Sequence, residues 1–248
     1  MDKSMIVTGA SRGIGRAIAL KAAQKGYQVC VNYQSNKAAA EAVVKEIDAA
    51  GGKAIAVQAD MTVEADILKM FAAVDEKLAP LGALVNNAGI VDVAAKVEEM
   101  SLERLNRMFT TNITGPFICA REAVRRMSIA HGGSGGGIVN ISSIAARLGS
   151  PNEYVDYAAS KGAIDVMTMG LAKEVAADGI RVNAVRPGVI YTDIHASGGE
   201  PDRVDRVKSG VPMQRGGQAQ EIADATLWLL SDEASYITGS LLDASGGR

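Results

Sequence analysis

The chain has 248 residues, 48% of them hydrophobic, enough to fill the core of one large α/β domain, so a single domain over 1–248 is expected. Its 26 basic and 28 acidic residues leave a formal net charge of -2. That balance offers no surplus of positive charge to nucleic acid or an anionic membrane, and neither is an expected partner. Cys30 and Cys119 make no disulfide framework and sit among apolar neighbours, as small buried hydrophobes would. Met1-Asp2-Lys3-Ser4 runs into Met5-Ile6-Val7-Thr8 with no room for a leader, and no run of about 18 apolar residues occurs, so a cytoplasmic protein is expected.

Along the chain, short apolar runs, several rich in β-branched residues, alternate with helical patterns. The runs at 5–8, 29–31, 54–57, 83–85, 138–141, 182–185 and 241–244 predict seven buried strands. Between the third and fourth, Val63, Ile67, Met70, Phe71, Val74 and Leu78 repeat at helical spacing, one apolar stripe on a polar helix. Strand, helix, strand repeated in this way predicts an α/β, doubly wound parallel sheet with helices on both faces, because right-handed crossovers admit little else. Two segments break the rhythm. His131-Gly132-Gly133-Ser134-Gly135-Gly136-Gly137 reads as a surface loop, and 191–217 mixes glycine, proline and charge where such a sheet exposes strand ends, so a substrate lid is expected there.

The first strand opens through Thr8-Gly9-Ala10-Ser11-Arg12-Gly13-Ile14-Gly15 into a helix. Glycines in that place let the backbone close on a phosphate, and the helix start supplies N–H donors. Three residues rather than one separate Gly9 from Gly13, a departure from the commoner dinucleotide fingerprint. The second strand ends in Asn32-Tyr33-Gln34-Ser35, and the first acidic residue beyond is Glu41. No carboxylate stands where a ribose 2′-hydroxyl would be gripped, whereas Arg12 offers a guanidinium to a 2′-phosphate. Pro116 lacks an N–H and crowds the carbonyl of Asn112, which predicts a helix kink. Tyr157 and Lys161 share a helix face, so a phenol and an ammonium can enter one pocket. At about 4 Å and an effective dielectric of about 20, one positive charge is worth about 4 kcal/mol, or about three pKa units, enough to draw a phenol toward neutral pH. Tyr154 has Ala158 at i+4 and is expected to be a structural or pocket-wall residue. His131 and His195 have no partner at ligand spacing, so no metal is expected; His195 falls in the lid.

Thr8-Gly-x-x-x-Gly-x-Gly, Asn86-Asn87-Ala88-Gly89, Asn112, Ser143, Tyr157-x-x-x-Lys161 and Pro187-Gly188 follow the order and spacing of the short-chain dehydrogenase/reductase family, and the resemblance covers the whole chain. It is nearest to the branch that includes glucose dehydrogenases and 3-oxoacyl-carrier-protein reductases. The resemblance implies a Rossmann-type fold and hydride exchange between a nicotinamide dinucleotide and a small-molecule carbonyl or secondary alcohol; Arg12 and the missing carboxylate make NADP the preferred cofactor, with NAD possible. It places Gly9, Gly13, Ile14 and Gly15 on the pyrophosphate and ribose, with Ser11, Arg12, Asn32 and Tyr33 nearby. Asp60 and Met61 then face the adenine, while Asn86, Ala88, Gly89, Pro187 and Gly188 border the cofactor. Thr192 would hold the nicotinamide carboxamide. Ser143 would orient the carbonyl, Tyr157 exchange the proton, Lys161 acidify that phenol and contact the nicotinamide ribose, and Asn112 tether a water that returns protons to Lys161.

Ser143 and Tyr157 stand one residue further apart than is usual in the family, and the extra residue is expected within 150–156; Ser142 is the alternative register. The stretch 237–247 resembles members that assemble as tetramers, so a homotetramer is expected. A glucose-type sugar 1-dehydrogenase using NAD or NADP is the alternative function. A non-catalytic nucleotide-sensing regulator is disfavoured by the presence of Ser143, Tyr157 and Lys161. Too little chain follows Pro187 for the separate substrate region of an epimerase, and enoyl reductases space the tyrosine and lysine more widely.

Overall fold

The computed structural model describes residues 3–248; Met1 and Asp2, and with them part of the leader reading, lie outside the described residues, as does the side chain of His195. Seven strands, β1 Ser4–Val7, β2 Gln28–Tyr33, β3 Ala54–Gln58, β4 Leu81–Asn86, β5 Gly136–Ile141, β6 Ile180–Pro187 and β7 Leu241–Ala244, pair in parallel in the order β3-β2-β1-β4-β5-β6-β7. The order reverses between β1 and β4, where an open α/β sheet leaves a crevice beyond its strand ends. Helices α1 Gly13–Gln24, α2 Lys37–Ala49, α3 Glu64–Lys77, α4 Leu102–Phe109, α5 Gly115–Met127, α6 Ala145–Leu148, α7 Val155–Val175, α8 Ile194–Ser197, α9 Arg203–Val207 and α10 Ala219–Leu230 fill the connections.

Alternation along the strands divides the core into two layers. In β1, Met5 and Val7 join Ile18 of α1 and Leu227 of α10, while Ile6 joins Phe71 of α3, Cys119 of α5 and Ile164 of α7. The predicted stripe forms the buried face of α3 through Ile67, Met70, Phe71 and Val74, each contributing about 1.5–3 kcal/mol. Val63 and Leu78 flank the helix rather than belong to it. Both cysteines are buried in the second layer, and burial pushes each thiol up to about 12.

All seven apolar runs are strands, and several continue into polar residues that the runs omit, such as Asn32, Asn86 and Arg186. The glycine segment is a loop only as far as Gly135. A Cβ on Gly136 would lie 2.5 Å from the Gly82 carbonyl oxygen, and one on Gly137 would lie 2.6 Å from Leu230 Cδ2, so both glycines belong to a strand packed too closely for side chains. The expected kink is a π-helical turn, Thr110–Thr114, between α4 and α5. Segment 191–217 carries the short helices α8 and α9, and a bridge between Ile190 and Gly217 closes its base. Among the described residues no helix is long and apolar enough to cross a membrane.

Candidate active site

A cleft of about 1320 Å³ runs along the carboxyl ends of the strands and is lined by the glycine loop, the β4 end, the Ser143 segment and α7. Pockets for one small molecule usually enclose about 300–1,000 Å³, so this one has room for an extended ligand and a second molecule beside it.

Gly9 at φ +62 and Gly13 at φ +55 give the loop its left-handed turns. Asn87 Nδ2 donates to the Thr8 and Gly9 carbonyls at 2.8 and 3.1 Å, and Thr8 Oγ1 accepts the N–H groups of Asn87 and Ala88. Gly9 N donates to Asn32 Oδ1 at 3.0 Å, and Asn32 Nδ2 reaches the Val57 and Ala59 carbonyls. The ends of β1, β2, β3 and β4 are thereby laced together. Arg12, at the N-cap of α1, makes no side-chain cap, so the first N–H groups of the helix are left for a ligand at the cleft wall. That donor set, with glycines allowing close approach, fits a dinucleotide pyrophosphate.

Ser11, Arg12, Ile14, Gly15, Tyr33, Ala88, Gly89, Pro187, Gly188 and Thr192 all line the cleft as the sequence places them. Asn86 does not: it is buried, and its Nδ2 donates to Asn140 Oδ1 at 2.9 Å, away from the cleft. Adjacent residues at a strand end point to opposite sides, and Asn87, rather than the expected Asn86, lines the cleft. Asp60 and Met61 line the far end. Burial opposes the Asp60 charge, but bonds from Thr62 and Gln34 prevail and hold the carboxyl below its ordinary value. Ser35 and Asn36 also reach this end, which sequence reasoning missed. Arg12 is exposed at the rim, its Nη2 3.3 Å from Ser197 Oγ of α8.

At the other end Ser143, Tyr157 and Lys161 converge. Ser143 lies two residues beyond β5; its hydroxyl accepts the Ala145 N–H at 3.1 Å and stands near enough to the Tyr157 phenol to pull its pKa down. Ser142 turns toward Asp165 instead, its Oγ 2.7 Å from Oδ1, so Ser143 is the hydroxyl that meets the phenol. Lys161 Nζ donates to the Ile141 carbonyl at 2.8 Å and stands 5.6 Å from the centre of the Tyr157 ring. Burial pushes the phenol up, with the Ser143 hydroxyl pulling back, and burial pushes Lys161 down to about 8 against the raising influence of Asp165. The expected drop of the phenol toward neutrality is therefore corrected. The ammonium is turned to a carbonyl, and desolvation dominates both groups.

Asn112 stands behind the cleft wall rather than on it. Its Oδ1 accepts the Ile90 N–H at 2.8 Å, and its Nδ2 reaches the Ile90 carbonyl and Ser160 Oγ. A Cβ on Gly89 would lie 3.4 Å from Asn112 Oδ1 and 3.5 Å from Lys161 Nζ, ordinary contact distances that place Gly89 beside both groups. Tyr154 is a buried wall residue whose hydroxyl donates to Glu200 Oε1 at 3.0 Å; the Arg203 guanidinium covers its ring and pairs with Glu153 at 2.6 Å.

Residues 9–248 match the family model described as enoyl-(acyl carrier protein) reductase. The uncharacterized oxidoreductase YgfF of Escherichia coli is 63% identical over 243 residues, 98% of each chain. Glucose 1-dehydrogenase 2 of Bacillus subtilis is 38% identical, with 99% of this chain and 94% of the relative covered. The 3-oxoacyl-[acyl-carrier-protein] reductase FabG of Staphylococcus epidermidis is 37% identical over 100% and 99%. A short-chain dehydrogenase from Burkholderia cenocepacia, solved in complex with NADP, superposes with a TM-score of 0.91 at 33% identity over 100% of this chain and 98% of that one. The chain belongs to the short-chain dehydrogenase/reductase family and is an NAD(P)-dependent oxidoreductase.

Proposed function

We propose that the protein is an NADP(H)-dependent oxidoreductase interconverting a carbonyl and a secondary alcohol. The convergence of Ser143, Tyr157 and Lys161 in the cleft opened by the glycine loop carries this reading. Gly9, Gly13, Ile14 and Gly15 would hold the pyrophosphate, Asp60 and Met61 the adenine, and Ala88, Gly89, Pro187, Gly188 and Thr192 the nicotinamide half. Bound there, the nicotinamide supplies or takes up the hydride. Ser143 and Tyr157 hydrogen-bond the substrate oxygen, and Tyr157 gives its proton to the developing alkoxide or takes one back in the reverse direction. An ammonium has three donors, and Lys161 spends one on Ile141, which leaves others for the phenolate and the cofactor ribose. The Asn112 carbonyl, ahead of Pro116 in the π turn, is where a water would return protons to Lys161. Segment 191–217 serves as the substrate lid, within one domain spanning 1–248.

Arg12 at the rim, no carboxylate between Tyr33 and Glu41, and the NADP bound to the Burkholderia relative support NADP over NAD. Arg12→Ala is expected to raise KM for NADP about tenfold, the worth of a charge-assisted bond, and to leave KM for NAD nearly unchanged. Equal changes in both would remove the assignment.

The pH profile follows from Lys161. With its value pushed down to about 8, it carries charge below that pH and loses it above. For carbonyl reduction, which also needs the protonated phenol, kcat/KM is expected to hold below about pH 8 and fall above it. A profile level to about pH 10, the range of an ordinary lysine, would exclude Lys161 as the governing group.

Asp92, Arg107, Glu153 and Arg203 line the substrate end and favour a polar substrate, which keeps a sugar 1-dehydrogenase as the second reading. A panel of ketones, aldoses, polyols, 3-oxoacyl thioesters and enoyl thioesters, followed by NADPH absorbance, decides. Turnover of the enoyl thioesters alone would overturn carbonyl chemistry. A homotetramer belongs to the same proposal; exposed Phe117, Val166 and Trp228 support burial between copies, and light scattering measures it.

A further inference from the structure

Arg104 and Asp156 form an ion pair that the reaction outlined above does not use. The Asp156 side chain is 0% exposed and that of Arg104 10%. Both carboxylate oxygens are engaged by one guanidinium, Nε to Oδ2 at 2.7 Å and Nη2 to Oδ1 at 3.2 Å. Oδ1 also accepts the backbone N–H of Tyr157 at 2.9 Å, and the remaining arm of the guanidinium, Nη1, donates to the Val93 carbonyl at 2.7 Å. One side chain of α4 thus binds the first turn of α7 to the segment that follows β4 and walls the cleft.

The chain just ahead of α7 is held at Glu153 and Tyr154 by Arg203 and Glu200, but its backbone is irregular. Gly149 at φ +73, Ser150 at φ +45 and Asn152 at φ +64 make an irregular connection, two of its left-handed positions being filled by residues other than glycine. The extra residue between Ser143 and Tyr157 is expected in this connection. The helix then starts at Val155, and Tyr154 at its N-cap makes no side-chain cap. Successive helical residues are rotated by about 100°, so a small turn of this first turn would swing the phenol away from Ser143. A planar fork on a carboxylate one residue before Tyr157 resists that rotation in a way a single point charge does not. Burying two charges is unfavourable, and apolar pairs of similar volume often replace such bridges without loss of stability, which points to orientation rather than stability as the use of this one.

We propose that Arg104 and Asp156 are a positioning pair that fixes the rotation of the α7 N-terminus and so aims the Tyr157 phenol at Ser143. The proposal rests on Tyr157 being the proton donor, and the experiment separates the two. Arg104→Met/Asp156→Leu removes the pair without leaving an orphan charge, Arg104→Lys keeps the charge but loses the fork, and Tyr157→Phe is the reference. For each variant the thermal midpoint, the Kd for NADPH, kcat and KM are measured on the full chain. The Tyr157 titration is also followed in the cofactor-free protein, as the ultraviolet difference from the matching Tyr157→Phe variant.

The double variant is expected to fold and to bind NADPH within about twofold of the unsubstituted protein. Its kcat should fall between about tenfold and a hundredfold, the scale of a misplacement near 1 Å, with KM little changed and the Tyr157 titration displaced. Arg104→Lys is expected to lie between the two. Unchanged kcat and titration in the folded double variant, with Tyr157→Phe inactive, would overturn the positioning role alone. Full turnover in Tyr157→Phe would overturn the proton-donor reading and the pair with it. If the double variant does not fold, Arg104→Lys decides: reduced kcat at unchanged NADPH affinity supports the pair, and unchanged kcat rejects it.

Discussion

Tyr157→Phe is expected to lower kcat by about a thousandfold while NADPH affinity stays within about twofold of the unsubstituted protein. The substitution removes one hydroxyl and keeps the ring, so packing around α7 survives; the chemistry does not. Ser143 loses its phenolic neighbour, and the substrate oxygen loses both a hydrogen-bond donor and its proton source. A general acid typically accounts for about 10²–10⁴ in rate and an oxyanion donor for about 10²–10³, and here one group serves both ends, so a thousandfold, or about 4 kcal/mol of barrier, is a middle expectation. Lys161 remains on the Ile141 carbonyl in the variant, so cofactor binding is expected to persist. Steady-state kinetics with the best substrate of the panel, beside NADPH titration by fluorescence, makes the comparison. Turnover within tenfold of the unsubstituted protein would show that another group protonates the product.

The sheet was legible because strands covered on both faces need nearly continuous apolar runs, as β1, β2, β4, β5 and β6 are; the edge strands β3 and β7 were expected to be buried and are only partly so. The strand ends were less legible. Asn32, Asn86 and Asn140 are buried in the strands because partners distant in sequence satisfy their amides: the glycine loop for Asn32, Asn140 for Asn86, and Thr168 for Asn140. No local pattern announces such pairings. The same limit hid the assignment of Asn87 rather than Asn86 to the cleft, since the doublet fixes the place along the chain but not which amide faces the crevice.

Ser143, Tyr157 and Lys161 were readable because a strand end and four residues of one helix bring them together, a juxtaposition that spacing expresses directly. Their ionisation was not, because it depends on burial. The coulombic argument from spacing assumed an ammonium facing the phenol, whereas Lys161 is desolvated and directed to a carbonyl, so burial prevails for both groups. Arg104 with Asp156, and Arg203 with Glu153, were equally hidden. Separations of 52 and 50 residues place these pairs beyond any motif, and only the packing of α4 and α9 against the approach to α7 reveals them.

Gly15→Ala is expected to weaken NADPH binding about a hundredfold and to destabilise the fold by about 1–3 kcal/mol, although it adds one methyl at a helical position where alanine is ordinarily preferred. The methyl would overlap the Gly9 carbonyl oxygen and Asn87 Nδ2 and come within 3.0 Å of Ala10 Cα. Two of these three obstacles are backbone and cannot swing aside. Asn87 could yield only by giving up its bonds to the Thr8 and Gly9 carbonyls, the clamp that holds the glycine loop against the end of β4. Relief by moving α1 outward would separate its first N–H groups from the loop, and a pyrophosphate needs both within reach. Affinity should therefore fall by more than the change in fold stability alone predicts. Gly170→Ala supplies the contrast, because a Cβ there meets nothing within 4 Å on α7, and it is expected to stabilise by about 0.5–1 kcal/mol with NADPH affinity unchanged. Thermal melts and NADPH titrations of the two variants side by side test the contrast. Equal affinities in both would mean that the glycine loop does not bear on the dinucleotide, and the cleft would have to be assigned to another ligand.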